Sequence, residues 1–191
     1  WPNMTEANDY SFTNSTTYAD WSKVTLYNAG ALVWGTEPPA YVNQGLYLQY
    51  LATTNSATTT DAQSQWRLFN PDPVVIPLTA LTIRYWFTYD GAAGTLLGDT
   101  GYTDLTGGYS ANRVITSYVT DLIGTTNRVS ADRYYEVGFA AGSGDIYWGD
   151  YVTLQARYHT DSFSLLTQTN DYSFDATKTA FANWSKITVY R

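Results

Sequence analysis

The chain carries one segment twice, once near each end. Thr5-Glu6-Ala7-Asn8-Asp9-Tyr10-Ser11-Phe12 returns as Thr167-Gln168-Thr169-Asn170-Asp171-Tyr172-Ser173-Phe174, and after turns that differ by one residue the register resumes. Ala19, Trp21, Ser22, Lys23, Thr25 and Tyr27 then match Ala182, Trp184, Ser185, Lys186, Thr188 and Tyr190. Val24/Ile187 and Leu26/Val189 differ conservatively, so buried shape and strand alternation survive in both copies and either fits the same slot. The intervening chain shows no third copy, which excludes a solenoid. Asn28 to Gly35 follows the first copy and has no counterpart after the second, which runs to Arg191. The C-terminal copy is therefore expected to want a hairpin partner that the N-terminal copy possesses.

A chain of 191 residues accommodates one domain of roughly 150 residues with its own core plus an appendage. Aromatic residues make up 17% against 14% charged, with 18 Tyr and 7 Trp, a composition suited to β-rich surfaces rather than disorder. The net charge of −7 argues against nucleic acid and anionic membranes as partners, because both would be repelled. Without Cys there is no disulfide frame and no thiolate metal site. No apolar run reaches membrane-spanning length, and a secreted, extracellular protein with Trp1 as mature start is the expectation. The sequons at Asn3, Asn14 and Asn183 add little in a Thr-rich chain.

Alternation with period two, rich in aromatic and β-branched residues, predicts strands at Lys23–Tyr27, Leu46–Tyr50, Leu81–Tyr89, Tyr134–Phe139, Tyr151–Tyr158 and Ile187–Tyr190. Turn signals such as Asn70-Pro-Asp-Pro73 and Gly142-Ser-Gly144 separate them. The fold class is all-β: an antiparallel sandwich or barrel. Gly91 to Ala131 reads as an elaborated loop face with one or two extra strands. Glu37-Pro-Pro-Ala-Tyr-Val-Asn-Gln44 looks stiff and extended, like a linker. That puts a boundary near Ala40, between an arm at 1–39 and a body at 40–191.

Leu81-Thr-Ile-Arg-Tyr-Trp-Phe-Thr-Tyr-Asp-Gly91, Tyr135-Glu-Val-Gly-Phe139, Leu154-Gln-Ala-Arg-Tyr158 and Gln168-Thr-Asn-Asp-Tyr-Ser-Phe174, followed by Trp184-Ser-Lys-Ile-Thr-Val-Tyr190, resemble the family 3 carbohydrate-binding modules of cellulases and cellulosomal scaffoldins. The resemblance covers residues 45 to 190 and implies a jelly-roll β-sandwich of about nine antiparallel strands. In that family the strand matching Trp184 to Tyr190 continues into a pattern found here only at Asn28 to Pro38, so the family's last strand stands at the front. The resemblance also implies a structural calcium ion held by Thr88, Asp90, Thr167, Asn170 and Asp171. Hard oxygens at a loop junction suit that ion, although the residues alone fit a side-chain-capped turn equally well. Thr5, Asn8 and Asp9 form a competing copy of half this set.

The same resemblance implies a flat cellulose-binding strip. Its Asp falls on Asp99, its Tyr on Tyr109 and its Arg on Arg157, while Phe163 stands for its Trp and Thr100 for its His. Coplanar rings bind a neutral glucan by covering its apolar faces, with no need for charge; ordinary surface aromatics are the alternative. Catalysis is disfavoured, since the lone His159 reads as a solvated loop residue with no Cys or paired base beside it. Two functions remain. The first is a non-catalytic extracellular subunit that assembles head-to-tail into filaments by donor-strand exchange of the arm, through Leu32, Val33, Trp34, Trp21 and Tyr27. The second is attachment to crystalline cellulose or a related plant-wall glucan.

Overall fold

The protein is described by a computed structural model covering residues 6–40, 44–107, 113–115 and 119–191. It divides into two compact units, Trp1–Val42 and Asn43–Arg191. In the first, a single 3₁₀ turn at Glu6–Asn8 precedes strands β1 (Leu26–Asn28) and β2 (Ala31–Trp34), which pair as an antiparallel hairpin. The two-residue turn places Ala29 at φ 49° and Gly30 at φ 83°, the doubly left-handed geometry that lets a tight hairpin follow the strand twist. Strand structure begins later than alternation predicts because Val24 N–H donates to Trp21 O, closing a turn at the expected strand start.

The second unit contains β3 (Tyr47–Ala52), β4 (Thr58–Thr59), β5 (Asp61–Phe69), β6 (Ile76–Pro77), β7 (Thr82–Phe87), β8 (Leu96–Thr106), β9 (Arg113–Val114), β10 (Val119–Arg128), β11 (Ala131–Phe139), β12 (Asp145–Ile146), β13 (Tyr151–Thr160), β14 (Leu166–Thr167), β15 (Ala182–Asn183) and β16 (Ile187–Tyr190). Two antiparallel sheets form the body, β10-β11-β7-β16 and β15-β3-β5-β13-β8-β9. This is the expected jelly-roll sandwich.

Between the sheets lies an aromatic core. Trp66 stacks parallel to Tyr85 at 6.2 Å, and Phe87 stacks on Tyr158 at 4.2 Å. Leu68, Leu154, Ile83 and Val137 are fully buried around them. Each such side chain contributes about 1.5–3 kcal/mol on burial. Burial first, and then the neighbouring Asp171 carboxylate and tyrosine hydroxyls, push the Tyr85 and Tyr158 hydroxyls well above the usual phenol range.

Two regions depart from the sequence reading. Asp61–Phe69 alternates in burial, with Ala62, Ser64, Trp66 and Leu68 inward. Small or polar residues occupy half of those inward positions, so hydrophobicity does not show the period. Within Gly91 to Ala131 the expected extra strands are present, but β8 and β10 are long members of the two main sheets rather than additions to a loop face.

Candidate functional site

The outer face of the six-stranded sheet collects a row of polar and aromatic groups. Register sets Arg157 on β13 directly between Gln63 on β5 and Asp99 on β8. Side chains of cross-strand partners project to the same face. Arg157 donates through Nη2 and Nε to Asp99 Oδ2 at 2.9 and 3.1 Å, and through Nη1 to Asp61 Oδ2 at 3.3 Å. Gln63 Nε2 donates to the same Asp61 oxygen at 2.7 Å. On the other side, His159 Nε2 lies 2.9 Å from Asp99 Oδ2, and the His159 ring stacks on Phe163 at 4.5 Å with 6° between planes. Phe163 through His159, Asp99, Arg157 and Asp61 to Gln63 is thus one continuous chain of contacts. The His159 hydrogen bond, followed by the Arg157 guanidinium, holds the Asp99 carboxyl below the usual carboxylate range.

Phe163 stands at φ 51°, a conformation that costs a bulky side chain strain and that clusters at ligand-contacting sites. It is stabilised by a tight turn: Phe163 N–H donates to Thr160 O at 2.9 Å and Ser164 N–H to Thr160 Oγ1 at 2.7 Å. Its ring remains half exposed. Beside the row, Gln63, Gln65, Gly101, Gln155 and Arg157 line a shallow hollow of about 380 Å³.

Two sequence readings need correction. Thr100 faces away from the row. A register irregularity between Gln155 and Ala156 places it opposite the buried Ala156, and its hydroxyl donates to Asp121 Oδ1 at 2.6 Å and lies 2.8 Å from the hydroxyl of the buried Tyr135. His159 is no solvated loop residue either; it is buried on β13, two positions from Arg157 and therefore on the same face as it. That i, i+2 spacing was the signal available for it. Asp61 and Gln63 were missed with β5. Tyr109 lies outside the described residues.

The residues implied for calcium do converge. Thr88 N–H donates to Asp171 Oδ1 at 3.0 Å, Thr167 N–H to Asp90 Oδ2 at 2.7 Å and Asn170 Nδ2 to Asp90 Oδ1 at 2.8 Å. Thr88 Oγ1 lies 3.3 Å from both Asn170 O and Ser130 O, and Tyr158 donates its hydroxyl to Asp171 Oδ2. The buried Asp171 is pushed up to about 7, mainly by burial, with Asp90 and Asp132 adding to the effect. Two carboxylates, a hydroxyl and two carbonyls are the oxygen chemistry that calcium takes. Among the described residues no three acidic or His side chains are gathered closely enough to hold an ion by themselves, so backbone and neutral oxygens would complete the shell. In the N-terminal copy, Asp9 is exposed, only the backbone of Asn8 is described, and Thr5 lies outside the described residues.

The family described as cellulose binding domain matches this chain over residues 1–35 and 47–191. The chain belongs to the family 3 cellulose binding domains. It is 32% identical over 158 residues to Endoglucanase A of Paenibacillus lautus, covering 82% of this chain and 21% of the endoglucanase. Against Cellulose-binding protein A of Clostridium cellulovorans it is 30% identical over 169 residues, 84% of this chain and 9% of that protein. The chain thus spans about a fifth or less of the length of these relatives. The family 3a carbohydrate binding module from the scaffolding of Clostridium thermocellum superposes with a TM-score of 0.69 at 28% identity, covering 76% of this chain and 95% of that one. As a member of a binding-domain family, the chain is a binding module whose match comes in two pieces, the first holding the N-terminal repeat and hairpin.

Proposed function

We propose that this cellulose binding domain attaches to crystalline cellulose through the outer face of its six-stranded sheet, outside the cell, where that polymer lies. The observation that carries the reading is the row itself: a stacked Phe163–His159 pair continued by the Asp99–Arg157–Asp61 ion pairs. Ring faces cover the apolar faces of glucose units. A planar guanidinium held flat by two carboxylates extends the platform while leaving donors for sugar hydroxyls. Attachment is favoured over a purely structural role because cellulose binding stands in the description of the family and of a relative, whereas filament building stands in neither.

The test is retention on microcrystalline cellulose. Phe163→Ala and Arg157→Ala should each weaken binding about tenfold, equivalent to about 1.4 kcal/mol, while Thr100→Ala, which faces away, should leave it unchanged. Unaltered retention in both Phe163→Ala and Arg157→Ala would sink the reading. Acid provides a second measurement. Because Asp99 is depressed in the folded protein, its contribution is full above the unfolded value of about 4 and disappears as pH falls through the lower folded value. Retention should therefore persist to about pH 4 and fail below it.

We also infer a structural calcium ion at Thr88, Asp90, Thr167, Asn170 and Asp171. The support is the convergence of hard oxygens at that junction, where the nearby Asp90 and Asp132 carboxylates add to the rise of Asp171. An ion there would tie the end of β7 to the turn before Tyr172 and neutralise the clustered acids.

A further inference from the structure

Taking that attachment as given, we propose that the outer face of the six-stranded sheet carries a second glucan-stacking site, built on Tyr47, Phe69, Tyr151 and Arg67. Tyr47 on β3, Phe69 on β5 and Tyr151 on β13 are successive cross-strand partners. The Tyr47 and Phe69 rings stack at 4.9 Å with 4° between planes, and Phe69 meets Tyr151 at 4.9 Å and 35°. Tyr151 precedes Arg157 on β13 by an even number of residues, so both project from the same face. At the rise of a strand, that separation puts the stack about 20 Å from the row that runs from Phe163 to Gln63.

These rings are not core. Their inward neighbours Leu48, Leu68 and Val152 fill the space between the sheets and are buried, whereas Tyr47 is exposed and Phe69 and Tyr151 are half-buried. Outward positions on a solvated sheet face are ordinarily polar, and on these strands the positions between the two rows include Gln49, Gln65, Thr153 and Gln155. Rings return at the far end. Arg67, two residues before Phe69 and on the same face, lays its guanidinium 3.8 Å from the Phe181 ring centroid and 5.3 Å from that of Tyr151. Arg157 is held by the Asp99 and Asp61 carboxylates. Among the described residues Arg67 has no carboxylate partner and nothing accepts from its Nε, so stacking on the rings is what holds it in place.

The occupant follows from chemistry and position. Stacked rings with phenol hydroxyls and a guanidinium beside them repeat the combination found in the Phe163–Arg157 row, which is apolar surface for a sugar face and donors for its hydroxyls. Both rows stand on one face of one sheet, so that a cellulose particle seated on the first is presented to the second at high effective concentration. The rows cross the strands side by side in register. A glucan chain lying along one row therefore does not run along the other, and the second site takes a separate chain of the same polymer surface.

Retention on microcrystalline cellulose tests the site, using full-length chains whose melting temperature matches that of the parent. Tyr47→Ala and Arg67→Gln should each weaken retention by about threefold to tenfold, the weight of one ring or cation–π contact. Tyr47→Phe keeps the ring and should bind like the parent, as should Leu122→Ala, which trims an exposed apolar side chain on the other sheet. In a Phe163→Ala/Tyr47→Ala chain the two losses should multiply, as they do for sites more than about 10 Å apart. Full retention by Tyr47→Ala and Arg67→Gln, while Phe163→Ala and Arg157→Ala still lose binding, removes the second site and leaves the first standing. Full retention by all four removes both. A Tyr47→Phe chain as weak as Tyr47→Ala overturns the ring contact.

Discussion

In the C-terminal copy of the repeat, Ser173 Oγ donates to Lys186 O at 2.6 Å and Trp184 Nε1 donates to Ser173 O at 2.8 Å. In the N-terminal copy Ser11 and Trp21 make the same two bonds at the same lengths. The turns agree as well, with Asp171 N–H on Gln168 O and Asp9 N–H on Glu6 O. Surroundings differ completely. Ile187 is 3% exposed and its counterpart Val24 is 55% exposed; Ser173 is buried and Ser11 is exposed. A short sequence can thus dictate its own turn and hydrogen bonds. Burial, and any site that needs a second element such as Thr88 and Asp90, comes only from the body packed against it.

The sharpest way to break that comparison is to truncate the matching position to Ala in each copy. Ile187→Ala opens a cavity in the core and should cost 2–5 kcal/mol, by the usual range of about that size for buried Ile. Val24→Ala touches only exposed surface and should change stability by less than about 0.5 kcal/mol. Denaturant unfolding monitored by Trp fluorescence reads both. Equal losses would mean that the copies share one environment.

The same division explains what was legible beforehand. Strands β3, β7, β11, β13 and β16 stand out because large apolar residues occupy nearly every inward position, and the aromatic-rich alternation around Tyr85 and Tyr158 carries the sandwich. Strand β5 hides because Ala62 and Ser64 are inward while Gln63 and Gln65 are outward, so packing across the sheet rather than local hydrophobicity places it. The row was half legible: Asp99, Arg157 and Phe163 follow from position, but His159 and Asp61 join only through cross-strand register, and the irregularity that turns Thr100 inward has no local signature. The residues proposed for calcium were readable as two motifs, yet only folding brings Asp90 to Asn170.

Calcium sharpens the comparison next. An ion that binds the folded state alone stabilises it by about 2.7 kcal/mol at one hundred times its Kd, worth a rise in Tm of about 5–10 °C at this size. Chelation should remove that rise. Asp171→Asn should abolish it and Asp9→Asn should leave it intact, since the C-terminal turn is hydrogen-bonded to Thr88 and Asp90. A Tm indifferent to both calcium and chelator removes the ion from the account. A smaller effect follows at the serines. Ser173 Oγ also accepts from Trp86 N–H at 2.8 Å, so Ser173→Ala strands a buried donor and should cost about 1–3 kcal/mol. Ser11→Ala leaves its partners in water and should cost a few tenths.

The finest test asks where the copies should agree. Lys186 Nζ lies 5.2 Å from the Tyr172 ring centroid and 5.4 Å from that of Trp184; Lys23 Nζ lies 5.1 Å from Tyr10 and 5.6 Å from Trp21. These contacts lie within each copy, so they depend on local sequence rather than on the body. Cation–π contacts at exposed sites contribute about 0.5–1 kcal/mol. Lys186→Ala and Lys23→Ala should therefore lower the local opening free energy by the same amount in their own copies, measured by hydrogen exchange at the indole N–H of Trp184 and Trp21, each of which is tied to a backbone carbonyl of its own repeat. If exchange at Trp21 ignores Lys23→Ala while Trp184 responds to Lys186→Ala, the body is shaping even the local turn, and the independence of local structure from packing fails at its smallest scale.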